Sequence, residues 1–116
     1  MNQEILQILR EQKEMNLPGG LYHKVQVIFA YHTNRMEGSQ LTEEQTRSMF
    51  ETHTILSDNA VLNIDDIIET QNHFRAFDFM LEHAKEDLSM DLIKQFHAIL
   101  KRGTSDERKS WFKVGD

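Results

Sequence analysis

"LYHKVQVIFAYHTNRMEG" (Leu21–Gly38) decides the fold class. Its centre, "VQVIFA", alternates and is β-branched enough to suit a strand. The longer stretch does not alternate. Leu21, Val25, Ile28, Phe29, His32 and Met36 recur at steps of three and four, the period of one helical face. Eighteen residues without a break outvote six, so the spacing predicts a helix ending at Gly38, a residue that suits a helix C-terminus.

Outward from this stretch the same period recurs. Residues 2–15 place Ile5, Leu6, Leu9 and Met15 on a polar background, and "NLPGG" (16–20) breaks the chain before Leu21. After Gly38, "LTEEQ" (41–45) reads as a capping box, with Thr42 as cap, Gln45 reaching back and Leu41 as a staple. A third helix runs from there to about Thr54. "LSDNAVLN" (56–63) connects it to the longest helix, capped by Asn63 and spanning 64–86 with Ile64, Ile67, Ile68, Phe74, Phe77, Met80, Leu81 and Ala84. Ser89 caps a fifth helix carrying Leu92, Ile93, Phe96, Ile99 and Leu100 and stopping at Gly103. The expected fold class is all-α, about five helices in a bundle. The chain divides into a first helix and its Pro-Gly-Gly break (1–20), the second helix (21–38) and the rest (39–116).

Composition narrows the function classes. A length of 116 residues suits one small domain or part of a larger one, and 39% hydrophobic with 28% charged residues is a globular balance. One proline and five glycines leave few chain breakers. The net charge of −6, without a basic stripe, argues against nucleic-acid binding, where Lys and Arg must neutralise phosphates. No run of 18 apolar residues offers a membrane span, and the N-terminus lacks the basic start and apolar block of a signal peptide, so cytoplasmic is the default expectation. No cysteine is present, which removes disulfides and thiolate metal sites.

Little chemistry announces itself. The six histidines, His23, His32, His53, His73, His83 and His97, are spread over every element but the first and form no H-x3-H pair with a nearby acid, so no metal site is expected. Asp65–Asp66 and Glu43–Glu44 fall in first helical turns, where they complement the dipole on a solvated face. No phosphate-cradling glycine loop and no nucleophile elbow occurs. Glu37 stands out. A carboxylate at a helix C-terminus opposes the dipole at roughly 0.3–1 kcal/mol. With Phe29 at zero on a helical wheel, the apolar stripe lies within about 100° to one side and about 20° to the other. Thr33 falls just outside its edge and Glu37 one step further round, on the rim of the buried face. There Glu37 either reaches a cation on a packed neighbour or pairs with nearby Arg35 at the surface.

The surroundings of Glu37 resemble a known family. "YHTNRMEGSQLTEEQTRSMFET" (31–52) is similar to the start of the Fic family, whose members mostly transfer AMP from ATP to a hydroxyl of a target protein. An inhibitory helix of that family carries [S/T]-x-x-x-E-[G/N], which "TNRMEG" matches with Thr33, Glu37 and Gly38. "LTEEQ" resembles the segment on the C-terminal side of that helix. "DDIIETQNHFRAFDFMLEH" (65–83) resembles the next helix, with Glu69, Asn72 and Ala76 at matching positions. "DLIKQFHAILKRGTSD" (91–106) resembles L-I-x-x-L-H-x-I-L-x-x-G, where His97 takes a packing role, and "SWFKVGD" (110–116) resembles the segment before the family's flap. The likeness covers roughly residues 21–116. Ser39 stands where the family often has Asn, and Lys113 where it usually has Arg. The family's catalytic motif, H-x-F-x-x-G-N-G-R-x-x-R, occurs nowhere in the chain.

The resemblance implies that 21–38 is the inhibitory helix and 39–116 the N-terminal part of a Fic domain up to its flap. Glu37 would hold the second arginine of the missing motif, which then cannot bind the γ-phosphate. No catalytic residue lies in this chain, and ATP and Mg belong to the intact protein. The implied partners are the remainder of the Fic domain and a protein substrate of unknown identity. Leu92, Phe96, Ile99, Trp111 and Phe112 would pack on that remainder, and their exposure would favour a homo-oligomer. The alternative from another class is a non-enzymatic, antitoxin-like helical module that donates its inhibitory helix to a partner.

Overall fold

The computed structural model of the chain describes residues 3–56 and 61–107. Those residues are all-α: α1 (Gln3–Met15), α2 (Leu21–Met36), α3 (Glu43–Thr52), α4 (Ile64–His83) and α5 (Met90–Lys101), with a short helical turn at 105–107 and no strand among them. No described helix is long and apolar enough to cross a membrane. The segment 110–116, with Trp111 and Phe112, lies outside the described residues, as does 57–60 of the connection before α4.

Local signals set the helix ends. Thr42 and Gln45 form the capping box, Thr42 N–H donating to Gln45 Oε1 at 2.9 Å and Gln45 N–H to Thr42 Oγ1 at 3.0 Å. Asn63 accepts from Asp65 N–H at 2.9 Å, and Ser89 from Leu92 N–H at 3.1 Å. Two helices stop before their sequence-expected ends. His53 turns left-handed (φ 58°) and closes α3. α4 ends at His83, whose ring pairs with Glu86 across the following turn. The break between α1 and α2 has its own cap: Gln12 Oε1 accepts from Tyr22 N–H at 2.9 Å. A Cβ on Gly20 would lie 2.5 Å from that oxygen, so this position leaves room for the cap.

α4 is central and packs against all four other helices. The core joins Leu6 and Leu9 of α1, Tyr22 of α2 and Phe77 and Leu81 of α4, with Val25 and Phe50 against it. Arg10 ties α1 to the end of α4 by donating from Nε (3.1 Å) and Nη2 (2.6 Å) to the Leu81 carbonyl. Asn72, fully buried, donates to the Leu100 and Arg102 carbonyls at 3.0 and 2.8 Å and so caps the end of α5. Ala76, equally buried, belongs to the same packed face of α4.

The inward face of α2 is not its apolar stripe. Leu21, Ile28, Phe29, His32 and Met36 are exposed, Met36 by 88%. The buried residues are Tyr22, Gln26, Val27, Ala30 and Asn34. The reason is a polar seam with α4. Gln26 Nε2 donates to Tyr22 Oη (3.0 Å), the Phe74 carbonyl (3.1 Å) and Asp78 Oδ1 (3.0 Å), and Tyr22 donates to the same Asp78 oxygen. Burial and the Asp78 carboxylate push the Tyr22 hydroxyl well above the usual phenol range. Asn34 Nδ2 donates to Thr70 Oγ1 at 3.0 Å.

Three further expectations are corrected. Asp65 and Asp66 are tethers rather than a solvated face: Ser105 donates its N–H (3.1 Å) and hydroxyl to Asp65, and Gln40 N–H donates to Asp66 Oδ2 (3.1 Å). His97 is exposed and does not pack into the core. Of the apolar residues on α4, Ile64 faces outward and Met80 lies partly exposed in a cleft beside Leu92 and Phe96 of α5. On α5, Leu92, Phe96 and Ile99 are half-buried and no residue is fully so.

Candidate functional site

Glu37 is held by the exit of α2. Its N–H donates to the Asn34 carbonyl at 3.0 Å, Gly38 N–H to Arg35 O at 3.1 Å and Ser39 N–H to Asn34 O at 2.9 Å. The exit then reverses through Gly38 at φ 101°, where a side chain would be strained. Gly38 thus terminates the helix directly after Glu37. Thr33, half-buried one turn earlier, is linked to Glu37 through the backbone, Glu37 N–H to Thr33 O at 3.3 Å.

The rotated face of α2 relocates Glu37. On the same wheel the buried residues span about 20° to 160° from Phe29, and Glu37 falls near the middle, at about 80°. It belongs to the side facing α4, not to a rim beyond it, and is exposed because the helix ends there. Two hydrogen bonds bracket it. Asn34, before Glu37, bonds Thr70, and Gln40, after it, bonds Asp66. Asp66, Glu69, Thr70 and His73 share one face of α4 by their i, i+3, i+4, i+7 spacing. Glu37 therefore stands across from Glu69 and His73, and its charge acts on both.

Each partner is perturbed. Burial raises the Glu69 carboxyl; Glu37, Asp65 and Asp66 raise it further, and Lys101 of α5 opposes them. Burial lowers His73, with Lys101 acting in the same direction and Glu37 against it. The His73 ring, 6% exposed, also meets the edge of Phe29, centroids 6.2 Å apart. Lys101 is itself paired with Asp106 at 3.4 Å. Among the described residues Glu37 makes no ion pair, so the alternative partner Arg35 does not take it. No group of three or more described His, Cys, Asp or Glu residues is placed to hold a metal.

A cleft of about 650 Å³ lies elsewhere, between the α1–α2 connection and α3. Its histidine has no free nitrogen: Gly19 N–H donates to His23 Nδ1 at 2.9 Å and Nε2 donates to Glu51 at 2.8 Å. It holds helices together and is not available as a base.

The structure thus brings Glu37 together with two residues that sequence reasoning did not join to it. The i, i+4 spacing of Glu69 and His73 was the available signal. The unbalanced charge has a measurable consequence. A carboxyl raised above its unfolded value of 4.5 favours the folded state only when protonated; ionised, it costs stability. Glu69→Gln is expected to raise the melting temperature at pH 7. The gap to the parent should close as pH falls through the raised pKa towards 4.5. Thermal unfolding followed by circular dichroism at both ends of that window checks it. Compared with known proteins, the sequence matches no family model and no curated protein.

Proposed function

We propose that this chain is the regulatory part of a Fic-type protein adenylyltransferase, with Glu37 as the carboxylate that keeps it inactive. The observation that carries the reading is a carboxylate positioned by backbone and side-chain hydrogen bonds on both sides of it, yet left unpaired itself among the described residues. Such a group is set to receive a cation from outside the described residues. The resemblance of Thr33, Glu37 and Gly38 to the inhibitory pattern names that cation as a phosphate-binding arginine. A carboxylate–guanidinium pair is charge-assisted and directional, so ATP must compete with Glu37 for the same group. Asn72 and Ala76 are accounted for by packing and capping, which leaves Glu69 as the matching position with no structural duty.

The test is to determine the coding sequence after codon 116 and assay its product with labelled ATP. A downstream H-x-F-x-x-G-N-G-R and label transfer to protein are expected. The 116 residues alone should transfer none and should not bind ATP at micromolar concentration. Tight ATP binding by this chain would show that the nucleotide site is misplaced. A stop codon would replace the enzyme by a helical interaction module.

A further inference from the structure

Three polar side chains at the corner between α2 and α4 have no bonding partner among the described residues. Among the described residues Glu37 and Glu69 make neither hydrogen bond nor ion pair, and the His73 imidazole, although only 6% exposed, makes no hydrogen bond. Asn34 Oδ1, buried at the same corner, also lacks a partner among the described residues. A buried amide oxygen such as that of Asn34 is normally satisfied, and the facing carboxylates of Glu37 and Glu69 repel. An arrangement that is costly when empty points to a ligand that is positively charged and rich in N–H donors.

The geometry selects among cations. A divalent metal needs several ligands around one point, and no three described acidic or histidine side chains here are so placed. An ammonium is a compact charge with three donors. One is already nearby on Lys101, yet it pairs with Asp106 and forms no contact ion pair with Glu69. A guanidinium is planar, carries five N–H donors in a rigid fork, and lies well against aromatic rings. It can bridge carboxylates on two elements, and the Phe29 ring is beside His73.

We infer that Glu69 completes the Glu37 site, the two carboxylates gripping one arginine guanidinium between them, with the His73 imidazole one turn along α4 as a third acceptor. Only the source of that arginine rests on the regulatory reading. The charged groups around Glu69 are Glu37 at the exit of α2, Asp65 and Asp66 on α4, and Lys101 on α5. Burial keeps His73 neutral, so one ring nitrogen is free to accept. A guanidinium between the acids relieves their repulsion, and the stability that Glu69 costs in the free chain becomes affinity for the cation.

The experiment is a nuclear magnetic resonance titration of the 116-residue chain with N-acetyl-arginine amide, with N-acetyl-lysine amide as the comparison. Arginine is expected to shift the signals of Glu37, Gly38, Glu69 and His73 and to bind more tightly than lysine. Glu69→Gln and Glu37→Gln should each weaken arginine binding by about five- to tenfold. Glu43→Gln should leave it unchanged. The His73 titration should move to lower pH when arginine is present and move less in Glu69→Gln, a response that a packing role would not produce. Equal binding of arginine and lysine, absence of binding at these residues, or unchanged affinity in folded Glu69→Gln overturns the inference. If arginine binds as expected while Glu37→Gly leaves AMP transfer by the motif-bearing protein unaltered, the receptor stands and the regulatory reading falls.

Discussion

Replacing Glu37 by glycine in the protein that carries the catalytic motif is expected to raise AMP transfer by about ten- to a hundredfold. On the proposed reading the carboxylate holds an arginine that ATP needs. A hydrogen bond to a charged group contributes about 1.5–3 kcal/mol, which corresponds to that shift in the competent population. The effect should be almost purely on activity. Glu37 is exposed and makes no side-chain bond among the described residues, so the fold loses nothing there except some backbone order. Glu37→Gln keeps the backbone preference and should act in the same direction, which separates charge from chain flexibility. Glu43→Ala is the control. It removes only an exposed pair with Arg47 at 3.1 Å, one helix further on, and should leave the rate alone. Automodification with labelled ATP reads all three variants. An unchanged rate in Glu37→Gly, in a protein otherwise active, returns Glu37 to an ordinary surface residue.

Leu81→Ala is expected to remove about 2–5 kcal/mol of stability, a large share of the roughly 5–15 kcal/mol of a typical domain. Leu81 is 1% exposed and lies where α1 meets α4, in the cluster with Leu6, Leu9, Tyr22 and Phe77. Truncation leaves a cavity that two short contacts from Arg10 hold open, since they fix the Leu81 carbonyl and keep α1 from collapsing inward. Ile64→Ala, at the exposed start of α4, should cost no more than about 0.5 kcal/mol. Urea unfolding should show a lower midpoint for Leu81→Ala at an unchanged slope, because the same surface is exposed on unfolding. A loss below about 1 kcal/mol would mean that the site relaxes and that the core is centred elsewhere.

The sequence by itself determined where the helices are and how they begin. Thr42 with Gln45, Asn63 and Ser89 act on backbone groups two or three residues away, so their signals are local and survive any packing. The left-handed turn at Gly38 is local in the same sense. What the tertiary structure alone decided is the face that α2 turns inward. Apolar periodicity chose Leu21, Ile28, Phe29 and Met36, whereas Gln26 and Asn34 are the residues buried. Their burial is favourable only because Asp78, the Phe74 carbonyl and Thr70, distant in sequence, supply hydrogen bonds. A pattern of hydrophobicity carries no record of such partners. The same rotation moved Glu37 from the rim to the side facing Glu69 and His73, and the docking of Gln40 and Ser105 onto the start of α4 made tethers of Asp66 and Asp65. Glu37 was legible as a residue of interest from its place beside Gly38. The company it keeps was not, because a carboxylate pair across two helices exists only once the helices are docked.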